Sequence, residues 1–376
     1  MYTPRLEVIR MGAVDGYTMT NTFVTLAESV SQGRRGDVLV VCHPAAPFAN
    51  VGFHQNASAE LDLDYCKENG IPVVRRVIGG GAIADGPWEQ DYFFITRIGS
   101  PATFGTIADY YERMLEPVRR VLERLGVRAA KEGLNDLAVN GRKISANGAV
   151  DIGGARVLTG DILLSLNIQA MAGILRVPDA KFRDKMAKSM QAYLTSVEQE
   201  TCSEPDRPLV ENLIVQEFSS IYEEGSSESS LTTDELRALE NLISERKRPD
   251  WVFSRDGHAN EVRESLSRRI VKIKEGMFLC ASDYKARKLI RVILLVDSGR
   301  IVEASFSGDF FTVPVTWSLS SLEEGLKGVS LDRSAVSRVL AAEFSRSGVT
   351  VLGATLDDFI NAVLDAVNHP VAAPAR

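Results

Sequence analysis

Between residues 106 and 125 apolar side chains return every three or four positions: Ile107, Tyr110, Tyr111, Met114, Leu115, Val118, Val121, Leu122 and Leu125. That spacing collects them on one face of a helix, with Pro117 expected to kink it or start a second segment and Gly126 to end it. Residues 17–33 repeat the pattern through Met19, Phe23, Leu26, Ala27 and Val30, with Gly33 as the stop. Ser58 can cap a short helix that runs through Cys66 to Asn69-Gly70. Elsewhere the pattern is that of strands. Asp37 to Cys42 is a continuous β-branched run, so a buried strand. Pro72 to Arg76, Ala82 to Ala84, Asp91 to Ile98 and Arg156 to Ser165 read as further strands. Asn140-Gly141 between Asp136–Val139 and Arg142–Ser145 is a hairpin signal that sets Lys143 at the start of the second strand.

The second half changes character. Residues 167–222 read as helical and partly polar, and Glu223 to Ser230, rich in Glu, Ser and Gly, reads as a linker. Thr233 can cap a helix from Asp234 to Glu245. Arg269 to Glu275, Leu289 to Val296 and Arg300 to Ser307 read as strands, with Asp297-Ser298-Gly299 as a turn. Helices follow over Asp332 to Ser345 and Thr355 to Val367. The expected class is α/β (α+β), with a larger domain over 1–245 and a small α+β domain over 246–376.

Composition narrows the partners. A chain of 376 residues, 45% hydrophobic and 25% charged, has material for more than one globular core. Lys and Arg total 43 against 50 Asp and Glu, a net charge of −7 that disfavours nucleic acid as the main partner. Nothing at the start resembles a signal peptide and no run of eighteen apolar residues occurs, so a cytoplasmic protein without a membrane span is expected. Cys42, Cys66, Cys202 and Cys280 lack metal-type spacing and read as reduced, buried thiols, Cys66 on the apolar side of its helix. His43 and His54 have no partner at ligand spacing and read as loop histidines.

The stretch with most chemistry is Arg75-Arg76-Val77-Ile78-Gly79-Gly80-Gly81-Ala82-Ile83-Ala84-Asp85. Consecutive glycines let a backbone turn tightly and offer its N–H groups to a ligand, and an adjacent arginine can pair with phosphate or carboxylate. Successive strand residues point to opposite faces, so Arg75 and Arg76 are expected to point opposite ways, one of them structural.

Taken with Gly52-x-x-Gln55-Asn56, Asn135-Asp136-Leu137-x-Val139, Gly141-Arg142-Lys143-Ile144-Ser145 and Gly160-Asp161-Ile162-Leu163-Leu164-Ser165-Leu166-Asn167, this loop resembles the lipoate–protein ligase family, within the biotin and lipoate ligase fold. The likeness covers roughly residues 5–220, and the region around Gly308-Asp309-Phe310-Phe311 looks like the family's accessory domain. The resemblance implies a mixed-sheet catalytic domain with a C-terminal accessory domain. It implies an enzyme that activates lipoate with ATP and passes the lipoyl group to a lysine of an acceptor domain, of the glycine-cleavage H-protein or E2 kind. Lys143 would be catalytic, spanning phosphate and acyl carboxylate. Arg76, Gly79, Gly80, Gly81, Ala82, Ile83 and Ala84 would hold the nucleotide, with Asn135 beside Asp136, and Asp136 would contact Mg²⁺ or ribose. Residues Val77-Ile78, Ala84, Phe53 and His54 depart from what is common in the family, and they bear on acyl-chain preference. Two alternatives remain: an octanoyl or lipoyl transferase of the same fold, whose cysteine-dependent kind needs a thiol where this chain has Glu132-Gly133-Leu134, and a non-catalytic lipoate-binding protein.

Overall fold

The computed structural model describes residues 5–176, 180–256, 270–314 and 317–368. The chain packs as two compact units. One comprises Met1–Asn50, Leu61–Arg76 and Ile83–Val252; the other comprises Phe253–Arg376 together with two segments from the front half, Val51–Glu60 and Val77–Ala82.

The larger unit is built on a mixed sheet that has eight strands among the described residues. Their order is Ser226–Glu228, Leu6–Val14, Val38–Pro44, Glu89–Arg97, Ala155–Leu163, Arg142–Ile152, Asp136–Val139 and Ala130–Glu132. The first two pairings are parallel and the central ones antiparallel. Helices Ile107–Arg124 and Arg207–Ser219 cover one face. Tyr110, Met114, Val118 and Leu122 of the first, with Leu213 and Phe218 of the second, pack on Leu39, Val41, Tyr92, Phe94 and Leu158. Full burial of each such side chain contributes about 1.5–3 kcal/mol, so the amphipathic stripe seen in the sequence is the core itself. Pro117 lies inside Ile107–Arg124, which runs through it as one helix rather than restarting there.

Helix Gly16–Ser31 lies on the opposite face, where Phe23 meets Phe93 at 5.2 Å between ring centroids. Asp15 caps it by accepting from the backbone of Tyr17 and Thr18. Its buried Thr20, Thr22 and Thr25 each donate to a carbonyl four residues back, so polar side chains sit inside without unmet donors.

Two expectations are corrected here. The stretch read as a linker is ordered: Ser226–Glu228 adds a parallel edge strand beside Leu6–Val14, with Leu6 N donating to Gly225 O at 2.9 Å and Ser229 N to Val8 O at 2.7 Å. An edge strand is held by backbone pairing and needs no apolar signature, which is why Ser and Glu concealed it. Cys202 is exposed rather than buried, at the left-handed end of helix Val197–Thr201, while Cys42, Cys66 and Cys280 are buried as expected.

In the smaller unit, Ile270–Lys274, Met277–Lys285, Leu289–Asp297 and Arg300–Gly308 form an antiparallel meander. Leu289–Asp297 alternates buried and half-buried positions along its whole length. Helices Leu319–Gly325, Arg333–Ser347 and Leu356–Asn368 close one face around Val292, Leu294, Phe306, Leu340 and Phe359. The run Arg269 to Glu275 overlaps the first of these strands, and its first residue lies outside the described residues.

The glycine loop belongs to this smaller unit. Phe53 N donates to Ile78 O at 3.0 Å, and Gly308 N to His54 O at 3.1 Å. His54 is no loose loop residue: it is 2% exposed, hydrogen-bonded through Nε2 to Thr312 Oγ1 at 3.0 Å, and stacked on Phe310 at 5.1 Å. Gly80 has φ of +93°, a conformation that favours glycine. Gly79 is required for a different reason, since a Cβ there would stand 2.4 Å from the Phe310 carbonyl oxygen. Backbone cannot rotate away as a side chain can. Gly79→Ala is therefore expected to cost about 1–3 kcal/mol through forced backbone movement, read as a lowered denaturant midpoint; an unchanged midpoint would refute the close approach.

Candidate active site

The larger unit carries Arg76, Ile83, Ala84, Asn135, Asp136 and Lys143, whereas Gly79, Gly80, Gly81 and Ala82 pack in the smaller one. Lys143 follows a tight turn at Asn140 (φ 52°) and Gly141 (φ 75°), the backbone that Asn-Gly favours. Its Nζ meets Asp136 Oδ2 at 2.7 Å, and the ammonium lies 5.4 Å from the centre of the Tyr193 ring. Burial works against its charge, but the Asp136 carboxylate outweighs burial and holds the proton affinity of Lys143 above the ordinary lysine value. Asn135 Nδ2 donates to Asn147 O, and the amide of Asn147 also bonds the hydroxyl of Tyr92.

Arg76 follows the strand Val73–Arg75, in a small sheet with Phe48–Val51 and Ile83–Asp85. Its Nη1 donates to Asn50 O at 3.1 Å and to Asn50 Oδ1 at 3.3 Å, while Asn50 Nδ2 donates to Asp85 Oδ2 at 2.7 Å. Burial lowers the guanidinium's proton affinity to about 10, against the pull of Asp85. It stays charged at neutral pH. Arg75 points elsewhere, as its place on the strand requires: it is 1% exposed and its Nε donates to Val252 O at 2.8 Å. Ile83 and Ala84 pair with Asn50 and Ala49.

Between these two cations lies a group that the motifs did not reveal. Asp85, Glu89 and Asp91 are 4%, 3% and 7% exposed, and Asp161 is partly exposed. Asp161 acts electrostatically on Lys143 and Asp136 at one end and on Asp85 at the other, and Asp85 on Arg76. Burial pushes their carboxyl groups up, against Asn50 and Arg76 at Asp85 and joined by repulsion from neighbouring acids at the other three: Asp85 to about 6, Asp161 to about 7, Glu89 and Asp91 well above the usual range. The signal available in the sequence was Glu89-x-Asp91 just ahead of the apolar run Tyr92 to Ile95, and Asp161 just ahead of Ile162-Leu163-Leu164. A cleft of about 530 Å³, lined by Pro87, Leu164, Ser165, Glu198, Asp206 and Arg207 among others, touches the motif over 160–167 at Leu164 and Ser165, but none of Lys143, Asp136 and Arg76 lines it. Among the described residues no group of three or more His, Cys, Asp or Glu is placed to hold a metal ion, and no helix is long and apolar enough to cross a membrane.

The fold class is that of the lipoate ligases. A structure of P. falciparum LipL1 in complex with lipoate superposes with a TM-score of 0.65 over 96% of this chain and 98% of that one, at 14% identity. A bi-partite lipoate protein ligase from Thermoplasma acidophilum, studied with its E2 lipoyl domain, reaches 0.58 over 66% of this chain and 96% of its own, at 23% identity. A lipoate-protein ligase A bound with ATP reaches 0.56 over 67% and 99%, at 20% identity.

The chain belongs to the lipoyl protein ligase A/B family, whose catalytic-domain model matches residues 18–219. Lipoate–protein ligase 1 of Staphylococcus aureus is 27% identical over 302 residues, covering 78% of this chain and 82% of that protein; lipoate-protein ligase LplJ of Bacillus subtilis is 27% identical over 296 residues, with the same coverage. Octanoyltransferase LipM of Moorella thermoacetica is 22% identical over 268 residues, covering 66% and 98%. The family resemblance read from the motifs therefore stands, and the chain is an enzyme of the lipoate–protein ligase kind.

Proposed function

We propose that this enzyme activates lipoate with ATP to lipoyl-adenylate and transfers the lipoyl group to a lysine of a lipoyl-type acceptor domain. The observation that carries the reading is that one unit holds two charged cations, Arg76 and Lys143, each acting on the same group of acids through Asp85 and Asp161. Joining a carboxylate to a triphosphate brings two anions together, and preorganised positive charge at the phosphate and acyl oxygens lowers that barrier. Lys143, released from Asp136 by an incoming anion, would bridge the two; Arg76 would hold phosphate. Asn135 would steady the strand that carries Lys143 through its bond to Asn147. The glycine triplet Gly79–Gly81 and Ala82 to Ala84 are assigned to the nucleotide on the family motif. The ATP of one fold relative and the lipoyl domain of another are the models for cosubstrate and acceptor.

Mg²⁺ does not fit a cage of this chain's own carboxylates, since Asp136 is paired with Lys143 and no three-ligand group is present among the described residues. Three thiols, Cys42, Cys66 and Cys280, are pushed up by burial, Cys66 and Cys280 to about 11, which opposes thiolate attack by these three, and Glu132-Gly133-Leu134 supplies no thiol ahead of Asn135-Asp136 for a cysteine-dependent transferase. These free buried thiols also suit a reducing compartment such as the cytoplasm. The test is pyrophosphate release with lipoate and ATP, followed by the intact mass of an added lipoyl domain. Lipoate-dependent release and a lipoyl mass increment are expected. Acyl transfer from a carrier protein without ATP would instead make the enzyme a transferase.

A further inference from the structure

Asp91 and Asp161 are directly opposite each other in the antiparallel pairing of Glu89–Arg97 with Ala155–Leu163, and Cys42 faces Asp91 from the next strand. Side chains so placed share a face of the sheet, with Cβ atoms about 4.5–5.5 Å apart. Two carboxylates in that relation repel, and Asp91, 7% exposed, has an Oδ2 with no hydrogen-bond partner. An orphaned acceptor beneath a partly exposed carboxylate is an arrangement that lacks a donor. The group does not converge on a metal ion, so the missing donor is a proton or an ammonium. Asp161 is the member that opens outward; its Oδ1 accepts from Ala146 N at 3.0 Å, which leaves Oδ2 for an incoming group.

We propose that Asp161, backed by Asp91, receives the ε-ammonium of the acceptor lysine and takes its proton in the transfer step. The assignment rests on the ligase reading above. Asp161 accepts one proton from the ammonium, giving a neutral amine. The amine nitrogen attacks the acyl carbonyl of the adenylate, the carbonyl–oxygen bond to phosphate breaks, and AMP leaves with the electron pair. The second nitrogen proton departs with the phosphate as the amide forms. A lysine amine is almost wholly protonated at neutral pH, so the enzyme must remove a proton before attack. The groups facing Asp161 are Lys143 and Asp136 from their hairpin and Asp85 from its short strand. Asp91 and Glu89 lie on the paired strand, and Arg207 interacts electrostatically with both of them. Lys143 favours the ionised base, whereas the acids favour its protonated form after transfer.

The experiment supplies preformed lipoyl-adenylate to the whole enzyme and compares a lipoyl-domain lysine with hydroxylamine, a nucleophile already neutral at pH 7. Pyrophosphate release by the unaltered enzyme is measured first; its absence removes the ligase reading and this assignment with it. Asp161→Asn is expected to lower the ratio of lysine to hydroxylamine rates about 100-fold, the size of a general-base contribution. Its lysine rate should keep climbing with pH where the unaltered enzyme levels off. Asp161→Glu, which keeps the base, should recover at least a tenth of the lost ratio and guards against a folding defect. An unchanged ratio in Asp161→Asn with an unchanged pH profile would overturn the proposal.

Discussion

Lys143→Ala is expected to lower lipoate-dependent pyrophosphate release by about 10²–10³-fold, the usual consequence of removing one preorganised group from developing negative charge. The fold should stand. Lys143 and Asp136 are 23% and 22% exposed as side chains, so water reaches the carboxylate left behind and the cost to stability should be about 1–2 kcal/mol, well short of unfolding the domain. The loss should therefore appear in activity with only a small shift of the unfolding midpoint, which separates a chemical role from a structural one. Lys143→Arg keeps the charge but not its placement: a planar guanidinium differs from a compact ammonium that can leave Asp136 and settle between two oxygens. Recovery by arginine should stay below a tenth. Retention of more than a third of the release rate by Lys143→Ala would dismiss Lys143 as the bridging cation.

What made Lys143 legible was local. Asn140-Gly141 demands the backbone it adopts, and the residue two places on is placed with it. The stripe on Ile107–Arg124 was legible for the same reason, because its face is set by helix geometry within the segment. The opposed directions of Arg75 and Arg76 followed from strand alternation. Features that depend on what lies across a sheet were not legible. Nothing near Ser226 announces that Leu6–Val14 offers it an edge, and nothing near His54 announces Thr312 and Phe310, more than 200 residues later. The glycine triplet shows the limit most clearly. It reads as a ligand cradle, yet a backbone approach by Phe310 already requires Gly79, and a left-handed turn favours glycine at position 80. The acid group is the extreme case, since only cross-strand register places Asp91 opposite Asp161.

That group predicts an unusual dependence of stability on pH. A carboxyl raised in the folded state adds stability that is fully present below its unfolded value near 4 and is lost as pH rises through its folded value. For Asp85 and Asp161 the losses fall between about 4 and 7, and for Glu89 and Asp91 they extend higher. Asp161, raised to about 7, loses roughly 3 kcal/mol over the two pH units above 5; the four titrate together, so their effects do not simply add. Carboxyls of the opposite kind do not mask the trend. Glu116 and Glu235 are held down at about 2 by arginine partners and lose their contribution only as pH falls below the usual glutamate value. His43, lowered by burial and Arg207, gives an opposite slope below 6.5, one group against four. The unfolding free energy should therefore fall by about 3 kcal/mol from pH 5 to pH 8, measured by denaturant titration at fixed steps of pH. Asp91→Asn keeps the shape, removes a buried charge and supplies a donor facing Asp161. It should flatten this fall and raise stability at pH 8 by about 1–3 kcal/mol. A flat or rising curve in the unaltered enzyme would mean that these carboxyls ionise as freely folded as unfolded. A falling curve is the expected consequence of acids kept dry beside a reaction that must take a proton from lysine, with stability at neutral pH given up for that chemistry.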